Sequence, residues 1–328
     1  MLVRLARQGG PMTQLIFRAV NAWARLRHPH LCLSFRRRTG QWPNVALPQS
    51  LPERFLWRKI FDHNPVFAEI SDKLRVKAFA HRMCPEIGVP KVLWQGTDLA
   101  DAPPELLNRP GMLKANHACR MNVPLPDADR DLDAMRRLTA GWLAEPYGQR
   151  WGEWAYSAIS RKIFIEELLQ NDDGSPLEEI KVHACAGEPL FITYFRGTRN
   201  EDLTAEVFTL DGQRTGALDD VFAPTADGKP PAGWEKAVEV ARVLSAPFDF
   251  IRVDLLLANG KLYIGELTVY PLSGFTNLHV AGLPERWRAA WDLRKSWFLS
   301  APQPGWRGLY ARALRARLDA RAAGQSGG

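Results

Sequence analysis

Two carboxylates and an arginine interrupt an otherwise apolar stretch in the last third of the chain. Residues 251–268 read IRVDLLLANGKLYIGELT, and their alternating pattern, with the turn signal Asn259-Gly260, predicts a β-hairpin. Asp254 and Glu266 lie in its two strands, and Arg252 precedes the first acid by two residues. A half-buried carboxylate without a partner is costly, and like charges that face each other across a sheet repel. A bound cation would remove both costs.

The register of this hairpin decides whether the two acids meet. A strict two-residue loop would pair Asp254 with Gly265 and place Glu266 on the opposite face. A three-residue turn with a bulge at Gly260 would instead pair Asp254 with Glu266. We predict the second register, because a magnesium ion, which favours oxygen ligands, can then be held between the acids. The alternative is that both acids are solvated on the outer face of a one-sided sheet.

A lysine in a short apolar strand offers a second charged position. Residues 111–125, GMLKANHACRMNVPL, predict a strand, a loop and a second strand, with Lys114 in the first strand and His117 in the loop. A loop that folds over the lysine can clamp a polyphosphate between the ammonium group and backbone N–H groups. Loops of that kind usually contain glycine, and this one has none. The alternative is a lysine that snorkels at a sheet edge.

Another hairpin is predicted over residues 179–195. Lys181 and His183 share one face of its first strand. We expect this face to be the one that holds Asp254 and Glu266. Two lysines and two carboxylates around a cleft are what a magnesium nucleotide requires.

The remaining pattern alternates helices with short strands. A helix is predicted from Asp72 to Met83, with Ser71 as its cap. The other predicted elements are a connector at 40–52, a strand at 91–95, a helix at 131–147, a strand at 162–169 and a helix at 233–245. We therefore expect the C-terminal half to be an antiparallel sheet flanked by a helix.

The composition is that of an ordinary globular protein with basic ends. Of 328 residues, 46% are hydrophobic, and the net charge of +7 is concentrated in residues 1–38 and 307–321. The four cysteines form no C-x-x-C pair, which argues against a zinc site or a disulfide framework. No apolar run is long enough to span a membrane and no signal peptide is evident, so we predict a cytoplasmic protein. Residues 1–38 are expected to form a basic helical extension that either packs on the main body or lies on the inner face of an anionic membrane.

The order of these motifs resembles the TupA-like branch of the ATP-grasp superfamily. The resemblance runs over roughly residues 50–280 and is carried by SDKLRVKAF, MLKANHACRMNV, IFIEELL, EIKVHACAGEPLF and FDFIRVDLLLANGKLYIGELTVYPLSGF. It implies an α+β fold in which two α+β subdomains clasp a nucleotide. The expected boundaries are a basic helical extension with its connector at 1–50, an N-terminal and first ATP-grasp subdomain at 51–165, a second ATP-grasp subdomain with the metal-binding hairpin at 166–300, and a basic helix with a flexible tail at 301–328.

The resemblance also implies roles for individual residues, with ATP and Mg²⁺ as cofactors. Arg252 and Lys181 would be the catalytic residues, since Arg252 resembles the arginine that stabilises the transferred phosphoryl group or the tetrahedral intermediate in several such ligases. The residues expected to bind ATP are Lys114, His117, Lys181, and the hinge Glu166, Glu167 and Leu168, which would meet adenine through its backbone. The residues expected to carry magnesium are Asp254, Glu266 and Thr268. Many members place asparagine where this chain has Thr268, and a hydroxyl can still ligate magnesium.

The activity that the resemblance implies is ATP-dependent ligation of a carboxylate to an amine through an acylphosphate. The TupA-like branch is associated with cell-surface polymers. The expected partners are therefore an amino acid and a saccharide or acidic polymer, such as a uronic acid of a bacterial surface polysaccharide, and no nucleic acid. Two alternatives stay open, a kinase that phosphorylates a sugar hydroxyl and a non-catalytic scaffold that binds ATP or polymer.

Overall fold

A computed structural model describes residues 10–197, 203–217, 223, 228–275 and 280–325 of the chain. The predictions for residues 1–9 and for the tail at 326–328 lie outside this range. Its helices are α1 (Pro11–Arg27), α2 (Pro29–Thr39), α3 (Leu51–Ile60), α4 (Val66–Ser71), α5 (Arg75–Met83), α6 (Pro104–Leu107), α7 (Leu132–Ala144), α8 (Trp154–Ser157), α9 (Trp234–Ser245), α10 (Leu283–Ala290), α11 (Trp297–Ser300) and α12 (Gly305–Gln325). Its strands are β1 (Val92–Gly96), β2 (Gly111–Ala115), β3 (Asn122–Leu125), β4 (Ile163–Glu166), β5 (Glu178–Cys185), β6 (Glu188–Arg196), β7 (Thr204–Phe208), β8 (Arg214–Ala217), β9 (Ile251–Ala258) and β10 (Lys261–Thr268). Short 3₁₀ turns lie at Leu99–Asp101, Gln149–Trp151, Pro271–Gly274 and Leu293–Lys295.

The chain divides into two compact units. The first contains Met1–Asn64, Tyr270–Thr276 and Gly282–Gly328, and the second contains Pro65–Val269 and Asn277–Ala281. Over the part of the chain that the structure describes, no helix is both long and apolar enough to cross a membrane.

The first unit is helical and closes around aromatic side chains. Trp57 of α3 and Phe61, which directly follows α3, pack against Phe298 of α11 and Tyr310 of α12, and the rings of Phe61 and Tyr310 have centroids 4.8 Å apart. Trp57 Nε1 donates a hydrogen bond to Tyr310 Oη at 2.8 Å, which satisfies the indole N–H inside an apolar core. The predicted N-terminal helix is in fact two helices. Pro29 begins the second, because a proline is accommodated in the first turn of a helix but not in its interior.

The second unit is built on two antiparallel sheets, which confirms the predicted α+β class. The four-stranded sheet has the order β1-β4-β2-β3, and the six-stranded sheet has the order β10-β9-β5-β6-β7-β8. Helix α7 contributes Met135 and Trp142 to a buried cluster with Leu113, Ile163 and Ile165 of the four-stranded sheet. Helix α9 packs across β5 and β9 of the six-stranded sheet. Each sheet thus has one face covered by a helix, and polar side chains can stand on the other.

Three predicted boundaries are wrong. Ser71 ends α4 and caps no helix, since the side chain of Asp72 accepts the backbone N–H of Leu74 and the next helix starts at Arg75. The predicted strand at 162–169 ends already at Glu166. Helix α7 stops at Ala144, short of the predicted 147.

Candidate active site

The β9–β10 hairpin turns through two residues. Ala258 pairs with Lys261, so the loop between them is Asn259-Gly260. Both loop residues have positive φ, +48° and +73°, which is the conformation of the two-residue turn that Asn-Gly favours. The predicted three-residue turn with a bulge at Gly260 is therefore wrong.

The extra residue lies further along, at Gly265. The register shifts between Ile264 and Glu266, and after the shift Glu266 pairs with Asp254. The predicted pairing of the two acids is thus confirmed, although the bulge that produces it was placed wrongly. A Cβ atom at position 265 would come within 3.0 Å of the Asp254 carbonyl oxygen, so glycine is the residue that fits this bulge.

The register of three neighbouring strands brings the polar side chains into rows. Lys181 of β5 pairs with Asp254 of β9, which pairs in turn with Glu266 of β10. In the adjacent row, Arg252 lies between His183 and Thr268. Because paired residues share a face, and residues two apart in a strand also share it, both rows stand on one surface. We call the group Lys181, Arg252, Asp254, Glu266 and Thr268 the strand-row cluster.

Short contacts tie this cluster together. Arg252 donates two hydrogen bonds to Asp254, from Nε to Oδ1 at 2.6 Å and from Nη2 to Oδ2 at 2.5 Å. Thr268 Oγ1 donates to Glu266 Oε1 at 2.7 Å, and Arg252 Nη2 lies 3.6 Å from the same carboxylate oxygen. Lys181 Nζ lies 3.8 Å from Asp254 Oδ2 and 2.7 Å from Glu179 Oε2. The structure therefore brings together the five residues for which catalysis or metal binding was expected.

Lys73 is a further member of this site that the sequence analysis did not single out. It lies between α4 and α5, and its Nζ is 3.7 Å from Glu266 Oε2. Its backbone N–H donates to the carbonyl oxygen of Asn116 at 2.9 Å, which ties this connection to the end of β2. The motif SDKLRVKAF contains this lysine, but its helical spacing alone does not show which side chain reaches the sheet.

The two acids have different electrostatic surroundings. Burial raises the pKa of Asp254, and the opposing effects of Arg252 and Lys181 do not cancel that increase. Burial acts in the same direction on Glu266, but Lys73 and Arg252 outweigh it and lower the pKa of Glu266 to about 2. Glu266 is thus ionised at neutral pH. Burial disfavours the ionised form of Asp254, and a further positive charge beside it would stabilise that form.

The oxygen atoms of the cluster fit magnesium that arrives with a nucleotide. The Thr268 hydroxyl lies 3.4 Å from Asp254 Oδ2 and 2.7 Å from Glu266 Oε1, so it links the two carboxylates. Within the described ranges, no group of three or more His, Cys, Asp or Glu side chains is placed to hold a metal ion by itself. Magnesium commonly binds one or two carboxylates and completes its shell with water and phosphate oxygens. The donor set matches that mode of binding.

A second charged group lies on the four-stranded sheet. The Glu166 carboxylate contacts Lys114 Nζ through Oε1, and its Oε2 lies 2.6 Å from Nζ of Lys77 on α5. Glu166 is only 4% exposed. Burial favours its neutral form, but the two lysines outweigh that effect and lower the pKa of Glu166. We call Lys77, Lys114 and Glu166 the Glu166 cluster; Lys77 is its second lysine and was not predicted.

The other residues predicted to contact the nucleotide belong to neither of these two clusters. His117 is buried, and its Nε2 lies 3.1 Å from the carbonyl oxygen of Trp142, so its ring is engaged with α7. Glu167 exchanges backbone and side-chain hydrogen bonds with Lys91, since its N–H donates to Lys91 O and its Oε1 accepts Lys91 N–H, both at 2.9 Å. Leu168 follows as a half-buried residue beyond the end of β4. The adenine role of this hinge and the nucleotide role of His117 stay predictions.

Comparison with known proteins gives one family match. A family model described as TupA-like ATPgrasp matches residues 53–280. Among curated proteins, no sequence matches the chain. A solved D-alanine–D-alanine ligase from Bacillus anthracis, complexed with ATP, is 16% identical, with 79% of this chain and 69% of that chain covered and a TM-score of 0.40. An L-amino acid ligase from Bacillus licheniformis is 14% identical, with 63% and 42% covered and a TM-score of 0.38.

Proposed function

The chain belongs to the TupA-like ATP-grasp family, and on that premise we propose that it is an ATP- and magnesium-dependent carboxylate–amine ligase. One observation carries the proposal. Lys181, Asp254 and Glu266 form a row across three strands, with Arg252 bound to Asp254 in the adjacent row. These two rows place oxygen atoms that could bind a cation, and two cationic groups that could bind phosphate, on one rigid surface.

In the proposed reaction, Asp254, Glu266 and Thr268 would hold magnesium. When bound, magnesium neutralises charge on the phosphate oxygens. Asp254 and Glu266 hold the Arg252 guanidinium in place, and this group would face the transferred phosphoryl group. Its role is to stabilise charge that develops in the transition state, because a preoriented guanidinium needs no reorganisation when that charge appears.

The lysines would spread the remaining phosphate charge. Lys73 and Lys181 lie at the strand-row cluster, and Lys77 and Lys114 lie at the Glu166 cluster. Glu166 holds the second pair of ammonium groups close together before phosphate arrives. Together these residues supply positioning and charge, which are the main contributions that phosphoryl transfer needs from a protein.

The bond changes balance without a nucleophilic side chain. A substrate carboxylate oxygen bonds to the γ-phosphorus while the bond from that phosphorus to the departing ADP oxygen breaks. An amine nitrogen then attacks the acyl carbon, the bond from carbon to the phosphate oxygen breaks, and the nitrogen loses a proton. The products are an amide, ADP and phosphate.

We infer the substrate class from the association of the family with cell-surface polymers. The amine would belong to an amino acid, and the carboxylate would belong to a uronic acid or an acidic chain of a bacterial surface polysaccharide. The cationic side chains of the strand-row cluster support an acidic substrate, because they would attract the carboxylate of that substrate as well as the phosphates of ATP.

Calorimetry with magnesium ATP tests the first part of the proposal. We expect the wild type to bind and Asp254→Asn to lose most of that binding. Glu188→Gln removes an exposed acid from the same sheet and should bind as the wild type does. If the wild type does not bind, the proposal fails in favour of a scaffold that does not use ATP.

ADP release across pairs of uronic acids and amino acids tests the chemistry. A ligase should release ADP only when both substrates are present, and it should form an amide detectable by mass spectrometry. A phosphorylated sugar without an amide would instead establish a kinase and would overturn the proposed reaction.

A further inference from the structure

Helix α1 is apolar on two different faces. One face, with Thr13, Val20 and Ala24, is buried in the first unit. The other is exposed and carries apolar residues at alternating spacings of three and four, which places them in one stripe along the helix. These residues are Met12, Leu15, Ala19, Ala22 and Leu26. Leu26 is 84% exposed, Leu15 61% and Met12 55%, so the stripe is a continuous apolar surface in contact with water.

Arginines lie beside this stripe, in a segment of the chain that contains no acidic residue. Arg18 and Arg25 lie on one side of it, and Arg27 lies near its end; all three are exposed. Residues 1–52 contain no aspartate and no glutamate. Within residues 1–52, the charged side chains beside this apolar surface are therefore all cationic.

A tryptophan extends the surface to the second helix. Trp42 is 40% exposed, and the guanidinium carbons of Arg25 and Arg36 lie 5.1 Å and 4.8 Å from the centre of its ring. Two like charges are thus gathered on one exposed aromatic ring. Indole and guanidinium groups are both suited to the polar boundary of a lipid bilayer.

We propose that this surface of the first unit binds an anionic lipid bilayer. Helix α1 would lie in the plane of the membrane with Leu15 and Leu26 among the acyl chains and its arginines at the lipid phosphates. The proposal concerns the location of the protein and does not rest on its ligase chemistry.

Charge and polarity together favour a bilayer over other partners. A second copy of the chain, docked stripe to stripe, would bring the same arginines together with no acid in residues 1–52 to compensate. A dissolved anionic polymer would use the arginines but would leave the leucines in water. An anionic bilayer satisfies both features, since it offers phosphates at its surface and hydrocarbon beneath them.

Co-sedimentation of the full chain with vesicles tests the proposal. We expect binding to vesicles that contain phosphatidylglycerol, much weaker binding to phosphatidylcholine alone, and loss of binding as salt is raised. The double variant Leu15→Ser/Leu26→Ser should bind at least about ten-fold more weakly. Leu132→Ser, at an exposed leucine of the second unit, should bind as the wild type does.

The charged border is tested separately. Arg25→Gln/Arg36→Gln should reduce binding about ten-fold, whereas Arg137→Gln, at an exposed position of α7, should not. Circular dichroism checks that each variant is folded. Equal binding to both kinds of vesicle, or no binding to either, overturns the proposal. Self-association that the leucine variant abolishes would identify a second copy as the occupant, and polyanion binding that the leucine variant retains, without vesicle binding, would identify a polymer.

Discussion

The two charged clusters of the second unit differ in composition and in construction. The strand-row cluster sets two carboxylates against Arg252, Lys181 and the neighbouring Lys73, and its members are ordered by strand register. The Glu166 cluster sets one carboxylate against two lysines, one of which comes from a helix. The first offers a metal ion two carboxylates and a hydroxyl, whereas the second offers only one carboxylate, which two lysines already contact. We therefore propose a division of roles in which the metal ligands lie on the six-stranded sheet alone, while both clusters contribute cations that bind phosphate.

Substitution at Arg252 should have the largest effect and should separate the two clusters kinetically. We expect Arg252→Met to lower kcat for ADP release about 10²–10³-fold, since its guanidinium would act mainly on charge formed in the transition state. Lys114→Met should instead raise the KM for ATP, because a lysine that binds phosphate before and during the reaction stabilises both states alike. Steady-state kinetics of the two variants measure this contrast. An effect of Arg252→Met on KM alone would remove the proposed division of roles.

Removing the single acid of the Glu166 cluster should reduce stability strongly. Lys77 and Lys114 would lose the partner that compensates their burial, so we expect Glu166→Gln to lower the free energy of unfolding by about 3 kcal/mol. Glu188→Gln, whose side chain is 73% exposed, should change it by no more than about 0.5 kcal/mol. Urea unfolding measures both values. Equal stability of the two variants would show that the lysines do not depend on Glu166.

Acidification should test the charge balance of the strand-row cluster. Burial disfavours ionised Glu266, yet Lys73 and Arg252 lower its pKa to about 2. A carboxyl group with a lowered folded-state pKa contributes stability above its unfolded pKa and loses that contribution as the pH falls towards the folded value. Between about pH 5 and about pH 3 we therefore expect the wild type to lose about 1–2 kcal/mol more than Glu266→Gln does. Parallel losses, measured by urea unfolding across that range, would contradict the pKa shift.

The strand rows could be predicted from the sequence because alternation in a strand determines which residues share a face. The pairing of Asp254 with Glu266 was predicted correctly, yet the bulge at Gly265 was not, since an extra residue in the turn or in the strand gives the same pairing. Lys73 and Lys77 could not be found in this way. Lys73 comes from the connection between α4 and α5 and Lys77 from α5, and the tertiary contacts that bring them to Glu266 and Glu166 leave no periodic signal in the sequence.

Gly265→Ala should weaken the strand-row cluster without touching its charges. The added Cβ would meet the Asp254 carbonyl oxygen at 3.0 Å, and one of the two strands must move to accommodate it. We expect the free energy of unfolding to fall by about 1–2 kcal/mol, and the rate of ADP release to fall as well. Gly141→Ala is the control, because nothing lies within 4 Å of its Cβ position in helix α7 and alanine favours a helix. If both variants gain stability, the bulge does not depend on glycine.

The smallest effect concerns the loop that follows Lys114. This loop has no glycine, but Arg120 adopts φ +61°, a conformation in which a Cβ atom is costly. Glycine would relieve that cost while losing more entropy on folding, so Arg120→Gly should stabilise the protein by a net amount of about 0.5 kcal/mol. Arg109→Gly, at an exposed loop arginine without positive φ, should destabilise it by a similar amount. Magnesium ATP affinity of Arg120→Gly, measured by calorimetry, then decides what the loop does. Unchanged or tighter binding means that the loop contributes through its backbone, and weaker binding means that the Arg120 guanidinium itself contacts the nucleotide and belongs with the phosphate-binding cations of the four-stranded sheet.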